Sequence, residues 1–503
     1  MITTKKKITI NALSAVLQVV FTALLYFFLY KYLLQSIGIK QLGVWSLILS
    51  FSSIANLANF GITSGLVKFV AEYLVGNDTT KLGKLIFTST LSMSILFFGI
   101  SLIILFAAQF FLNLVVNKEF LQVALAILPY SLASLCINSV GGVFTSVLEG
   151  HQKNYLRNFI YIVSGIVMFV GTILLTPVFH LKGVAMAQLI QSLFIFIVAL
   201  LLTLKINPLN RFSHWKWSTQ SFKELFNYGY KFQIVSICQL LYEPTTKLLL
   251  SKYGGLAMLG HYEMATRAVN QFRALLTNAN QVVVPVVAEK AKTSEFSHLQ
   301  DFYKQMNRIL LFFNLPLSTT LFVATPFISM IWLGEMNSDF IFSMLVLTFS
   351  SFINIMCGPA YFSSMGEGRL NVLVLVHVGM AVINIIFGFV LGLIGGGYGI
   401  IIAWAAALSI GSVYLILTYN RTISVSYFGM FRRNDFVLLL TSLIIIFLNI
   451  LIFKFFFDTR DTFVKVALST VSLLLYLPII SKNEIVKQVV SLIKKRKGED
   501  YVR

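Results

Sequence analysis

Charge is the scarcest commodity in this chain. Only 12% of its 503 residues are Asp, Glu, Lys or Arg, against roughly 25% in soluble globular proteins. Acidic residues are rarest, 19 against 39 Lys and Arg, and there are three cysteines and nine prolines. So little charge, with a mean hydropathy of +0.83, excludes a soluble domain. Cys136, Cys238 and Cys357 fall in separate apolar runs without metal-ligand spacing. They exclude a disulfide scaffold and a zinc site and read as buried structural thiols. The "GGG" at 395–397 lacks the Lys of a phosphate-cradling loop and reads as a tight turn. No hydrolytic triad is visible, and no long external segment could hold a catalytic domain. The sequence therefore predicts no enzyme, no cofactor and no metal centre.

Long apolar runs are abundant. A helix crosses a hydrocarbon core of roughly 30 Å with about 20 apolar residues. Runs of that kind lie near 9–33, 43–66, 85–112, 121–148, 156–178, 183–204, 226–250, 257–288, 306–332, 340–365, 370–392, 398–419, 436–457 and 463–480. The expected class is all-α, a polytopic membrane protein of about 14 transmembrane helices. A membrane β-barrel would show short alternating segments instead. The net charge of +20 suggests a nucleic-acid partner, but its distribution excludes one. With "KKK" at 5–7 inside, 27 Lys and Arg fall in cytoplasmic segments and 8 in external ones. That asymmetry orients helices on insertion and predicts both termini in the cytoplasm.

The chain also repeats itself. At an offset of 217, Gly38, Leu42 and Gly43 align with Gly255, Leu259 and Gly260, and "VAE" at 70–72 aligns with "VAE" at 287–289. Gly183 and Ala187 match Gly399 and Ala403 at 216, and "EG" at 149–150 matches "EG" at 367–368 at 218. Six spans per repeat leave both halves in the same membrane orientation, a parallel repeat about an axis along the membrane normal. The expected organisation is an N-terminal half at 1–204, a cytoplasmic linker at 205–224, a C-terminal half at 225–420, an extra helix pair at 421–481 and a basic tail at 482–503. Trp215 and Trp217 in the linker suit the headgroup level. The tail, with Ile485, Val489 and Ile493 on one side and Lys494 to Lys497 following, reads as an amphipathic helix on the inner leaflet.

Polar residues inside the spans are the candidate site. In "EMATRAVNQFRALLTNANQ" (263–281), Glu263, Arg267, Asn270, Thr277, Asn278 and Gln281 share one helical face, with Arg273 on its flank. A charge at the bilayer centre costs roughly 2.5–3.5 kcal/mol on insertion scales, so such a face meets protein or water rather than lipid. Asn11, Ser14, Gln18 and Thr22 share a face of the first span, and Ser52, Asn56, Asn59 and Thr63 one of the second. In the seventh, Glu243 and Lys247 are spaced i,i+4. These four spans are expected to line a hydrated cleft. The four cations Lys231, Lys247, Arg267 and Arg273 outnumber the two carboxylates, a surplus that suits an anion such as a diphosphate. The expected substrate-binding residues are Arg267, Arg273, Lys247, Lys231, Asn56, Asn59, Gln18, Asn270 and Asn278, with Glu243 and Glu263 as ion-coupling carboxylates. The plainer reading of Glu243, Lys247 and Glu263 is a structural ion-pair cluster, and of any single amide, interhelical glue.

The stretches "NALSAVLQVV" (11–20), "GIKQLGVWSLILSFSSIANLANFGI" (38–62), "GGLAMLGHYEMATR" (254–267), "LEGHQKN" (148–154), "GEGRLN" (366–371) and "HLKGVAMA" (180–187) carry a resemblance that covers nearly the whole chain. It resembles the bacterial oligosaccharide flippases of the multidrug/oligosaccharidyl-lipid/polysaccharide exporter superfamily. The resemblance implies an undecaprenyl-diphosphate-linked oligosaccharide as substrate and a proton or sodium counter-ion. It also implies the bacterial cytoplasmic membrane, membrane lipids as surroundings, and other polysaccharide-assembly membrane proteins as partners. The rival within the superfamily is a multidrug or small-solute antiporter, which would favour an acidic site. A major-facilitator transporter is disfavoured, because "VKFVAEYLVGNDTTKLGK" (67–84) lacks that family's acidic-basic loop.

Overall fold

The computed structural model describes residues 4–55, 62–76, 78–116, 118–206, 215–280, 296–367, 369–426, 428–455 and 462–482. Among them there is no strand. Backbone polar groups cannot be left unpaired in hydrocarbon, and a helix satisfies them within one segment. The helices are α1 (Thr4–Ala55), α2 (Ile62–Val75), α3 (Thr79–Val115), α4 (Lys118–Gly150), α5 (Asn154–Phe179), α6 (Leu181–Ile206), α7 (Thr219–Tyr253) and α8 (Gly255–Asn280). Then come α9 (Phe296–Leu333), α10 (Ser338–Met356), α11 (Gly358–Gly366), α12 (Leu370–Thr422), α13 (Arg433–Phe455), α14 (Thr462–Leu473) and α15 (Leu477–Lys482).

Among the described residues, nine helices are long and apolar enough to cross a membrane. Two of these, α1 and α12, are pairs of expected spans run together across a glycine: Gly38 at φ 76° and Gly396 at φ 56°. Helices α7 and α8 are long enough, but their polar and charged residues keep them out of the nine. Counted with α1 and α12 as two each, and with α2, α11 and α15 each grouped with the helix or span before it, the described helices fall on the fourteen expected spans.

Local signals set the ends. Asp78 caps α3 by accepting the Lys81 amide N–H at 2.9 Å, and that bond with the nearby ammonium holds its carboxyl below the usual range. Ser218 and Asn337 cap α7 and α10 the same way, through Ser221 and Phe340. The turn between α5 and α6 passes through His180 at φ 49°, and its counterpart 216 residues on is the break at Gly396. Gly183 and Gly399, also 216 apart, each pack where a Cβ would strike the carbonyl of Leu175 or Leu391. The offset read from sequence thus recurs in backbone detail.

By contact the chain forms two compact units, residues 1–271 with 377–407, and 272–376 with 408–503. In the first, α4, α5 and α6 pack closely and α1 lies against α5 and α7. In the second, Leu311, Phe312, Leu315, Val323, Leu438, Ile445 and Tyr476 form a core between α9, α13 and the chain's last helices. Arg308 pairs there with the buried Asp435 at 3.2 Å.

Candidate functional site

Small residues let two helices approach at the heart of the first unit. A Cβ on Gly43 would collide with the Leu256 carbonyl oxygen, and one on Gly260 with that of Ile39. Gly43 and Gly260 are 217 apart in sequence, as are Ile39 and Leu256. The contact is reciprocal: each half offers a glycine to the backbone of the other. Gly38 and Gly255, the equivalent pair that opens these stretches, both hold positive φ, at 76° and 80°.

This close approach buries Glu263, whose side chain is 1% exposed. Its Oε1 accepts from the Tyr30 hydroxyl at 3.1 Å and from Arg267 Nε at 2.7 Å. Its Oε2 accepts from the Ser46 hydroxyl at 2.7 Å and from Lys247 Nζ at 2.8 Å. Lys247, 2% exposed, also reaches Glu243 Oε1 at 2.8 Å, and Glu243 is 43% exposed. Arg267 Nε is shared with the Tyr30 oxygen at 3.1 Å, and its guanidinium lies 5.5 Å from the Tyr26 ring centroid. A buried carboxylate is stable only when paired and hydrogen-bonded; Glu263 has four donors. The neighbouring α7 turn is tied to α12 by Tyr242, which donates to the His377 carbonyl at 2.7 Å, and by Asn384 Nδ2 on Thr246 Oγ1 at 3.1 Å.

The cluster joins four expected site residues, Glu243, Lys247, Glu263 and Arg267, and is electrically balanced. Its two cations are matched by its two carboxylates, so the expected positive surplus does not reside there. Among the described side chains it resides in Arg273, which has no ion pair and is half-buried. Asn270 is exposed on α8. Asn56 and Asn59 lie outside the described residues, as do the side chains of Lys231 and Asn278.

The polar face of α1 divides. Asn11 donates to the Gln152 carbonyl and accepts from the Tyr155 N–H, both at 3.1 Å, and Asn158 donates to Ser14 at 2.9 Å. These tie α1 to the start of α5. Gln18 and Thr22 instead line a cavity of about 200 Å³ between α1, α5 and α6, with Tyr26, Tyr161, Ser164 and Gln191. Sequence reasoning missed Tyr30 and Ser46. A usable signal existed, since they stand 217 residues before Lys247 and Glu263.

A family model described as "Polysaccharide biosynthesis protein" matches residues 37–341, about three-fifths of the chain. The chain belongs to that family. The fold is shared with solved structures at low sequence identity. An inward-facing multidrug-resistance MATE transporter of the MOP superfamily superposes with TM-score 0.68 at 14% identity, covering 80% of this chain and 94% of that one. The lipid II flippase MurJ, in an inward closed conformation, superposes with TM-score 0.68 at 16% identity over 94% and 99%. A MOP-superfamily transporter from Pyrococcus furiosus follows with TM-score 0.61 at 13% identity over 84% and 96%. No curated protein matches in sequence. The protein is a multi-pass membrane protein with the fold of these transporters.

Proposed function

We propose that the protein is a flippase for lipid-linked oligosaccharides, moving undecaprenyl-diphosphate-linked sugar repeat units from the cytoplasmic to the outer leaflet of a bacterial cell membrane. The observation that carries this is Arg273: a guanidinium with no ion pair among the described residues, half-buried midway along a span, in a chain of the polysaccharide biosynthesis family. A diphosphate supplies the missing anion in a geometry that a guanidinium fork matches. Sugars need such a route because each bare hydroxyl in hydrocarbon costs several kcal/mol, while the polyprenyl tail is at home in lipid. Movement of helix-lined walls about a fixed site exposes the cargo to each side in turn. Glu243 is the better ion-coupling candidate of the two carboxylates, being part-exposed with a single ion-pair partner among the described residues, whereas Glu263 is enclosed. The antiporter of organic cations is disfavoured because no carboxylate lines the α1–α5–α6 cavity.

The test is reconstitution in vesicles loaded with a fluorescent lipid-linked oligosaccharide, with a membrane-impermeant glycosidase added outside. Protein-dependent cleavage of the protected inner-leaflet fraction is expected. If that fraction stays protected while a cationic dye is exported, the antiporter reading replaces this one.

A further inference from the structure

The first turns of α7 present two different faces. One is fixed to the first half of the chain. The Ser218 N–H donates to Thr88 Oγ1 on α3 at 3.0 Å, and the Trp215 ring packs on Phe87 with centroids 6.1 Å apart. Ser221 and Leu225 are buried. Glu224 is engaged through both oxygens: Oε2 accepts from the Tyr73 hydroxyl on α2 at 2.8 Å, and Oε1 from Gln220 Nε2 at 3.0 Å.

The other face is aromatic and basic. Trp217 is 45% exposed and Phe226 40%, and Phe222 joins them into a ladder. Ring centroids lie 5.6 Å apart from Trp217 to Phe222, and 6.1 Å apart in the stacked pair Phe222 and Phe226. Exposed Lys216 and Lys223 are next to this ladder in sequence. Half-buried Lys84 stands one helical turn before Phe87 and Thr88, on the α3 face that receives the start of α7. Lys84, Lys216 and Lys223 have no ion pair among the described residues. The carboxylates at hand are taken, Glu224 by Tyr73 and Gln220, and Asp78 by Lys81 at 3.1 Å.

Exposed rings beside lysines at the start of a long membrane helix suit the headgroup boundary, where a ring meets acyl chains and an ammonium reaches a phosphate. On the topology that the Lys and Arg distribution predicts, this end of α7 is cytoplasmic, and the inner leaflet is the one rich in anionic lipid. We propose that the junction of α3 and α7 binds one anionic phospholipid of the inner leaflet. Lys84, Lys216 and Lys223 meet its phosphate, and the Trp217–Phe222–Phe226 ladder carries its glycerol and upper acyl chains. A zwitterionic lipid offers the same chains, but its own cation opposes the lysines, so the site selects net charge. A soluble anion has nothing to lay on the ladder. Because the opposite face of the same turns is bonded to α2 and α3, the lipid holds the start of α7 in place there.

The experiment reads Trp217 directly. The purified full chain, with its five tryptophans, is placed in lipid nanodiscs containing acyl-brominated phosphatidylglycerol or acyl-brominated phosphatidylcholine, since bromine quenches a nearby indole. The difference between the parent and Trp217→Phe isolates the Trp217 emission. Brominated phosphatidylglycerol should quench that emission at lower mole fraction than brominated phosphatidylcholine. Lys84→Gln, Lys216→Gln and Lys223→Gln should each lower the preference about fivefold at low ionic strength, the worth of one lysine near anionic lipid. Arg at the same positions should keep it. Equal quenching by the two lipids in the parent, or none by either, overturns the site. So does a preference that survives in the Gln variants, or one that millimolar inorganic phosphate abolishes, which would mark a site for a free anion. The flippase reading is unaffected by any of these results.

Discussion

Ser46 donates its hydroxyl hydrogen to the Glu263 carboxylate at 2.7 Å, and the two residues stand 217 positions apart, the repeat offset itself. A residue bonded to its own counterpart lies at the axis relating the repeats. Residues facing each other there cannot be identical and charged, because two carboxylates would repel. One half therefore supplies the carboxylate and the other a donor. Tyr30 and Lys247, likewise 217 apart, both donate to Glu263. The repeat diverged in sequence here because its geometry was kept.

This arrangement separates the stability effects of its members. Glu263→Ala leaves the buried Lys247 with Glu243 alone, and breaking such a pair costs about 3–5 kcal/mol. Ser46→Ala removes one hydrogen bond to a charged group, about 1.5–3 kcal/mol. In thermal unfolding of the purified protein, Glu263→Ala should lower the midpoint most and Ser46→Ala less. The double variant should fall short of the sum, since both act on one bond. A Glu263→Ala protein as stable as the parent would show that the cluster contributes nothing to folding.

Gly43→Ala and Gly260→Ala should be nearly equal in effect. Each forces a methyl group against a carbonyl oxygen of the opposite helix, and overpacking of this kind costs about 1–3 kcal/mol. Gly38→Ala and Gly255→Ala meet open space but force a positive φ on a residue with a side chain, a cost of about 1–3 kcal/mol. Yield of folded protein and unfolding midpoint measure both. A large difference between Gly43→Ala and Gly260→Ala would mean that the two packing contacts are not energetically equivalent.

The spans, their number and the repeat were legible because they rest on apolar run length and on glycines, which the backbone reads without regard to tertiary detail. Gly38 and Gly255 were aligned from sequence alone, and both adopt positive φ. The site was legible in part. The i,i+4 pair Glu243 and Lys247 and the polar face of α8 follow from helical periodicity. That Lys247 would turn to Glu263 rather than stay open to an anion did not, since it depends on α7 and α8 packing side by side. Nor could periodicity divide the polar face of α1. Asn11 and Ser14 are occupied by the α4–α5 turn and by α5, and Gln18 and Thr22 are not, a difference set by where the other helices end.

Arg267 and Arg273 should part company. Arg267 belongs to the buried cluster through Nε, so Arg267→Ala should lower both the unfolding midpoint and transport. Arg273 has no ion pair among the described residues, so Arg273→Ala should spare stability and reduce transport. Arg273→Lys should restore part of it, a point charge replacing a fork. Measuring midpoint and vesicle flipping on the same preparations separates the cases. Full flipping activity in a correctly inserted Arg273→Ala variant would remove this residue from the anion site.

The energy source can be tested through Glu243. An inside-negative potential drives an anion outward by roughly 2.3 kcal/mol per charge per 100 mV, so a diphosphate crossing with two uncompensated charges gains about 4–5 kcal/mol per 100 mV and needs no counter-ion. Antiport instead requires a carboxylate that exchanges its partner for a proton or sodium ion. Glu263 is poorly suited, because its four donors would all have to be released. Among the described residues Glu243 pairs only with Lys247, and it is 43% exposed, so it can take up a cation while Lys247 keeps its bond to Glu263. Under antiport, Glu243→Gln should abolish the response of flipping to an imposed proton or sodium gradient and leave downhill flipping at a clamped potential intact. Glu263→Gln, by loosening the packing of α1 against α7 and α8, should instead depress flipping under every condition. If Glu243→Gln followed the gradients as the parent does while still responding to the potential, the anion's own charge would be the driving force and no coupling carboxylate would be needed.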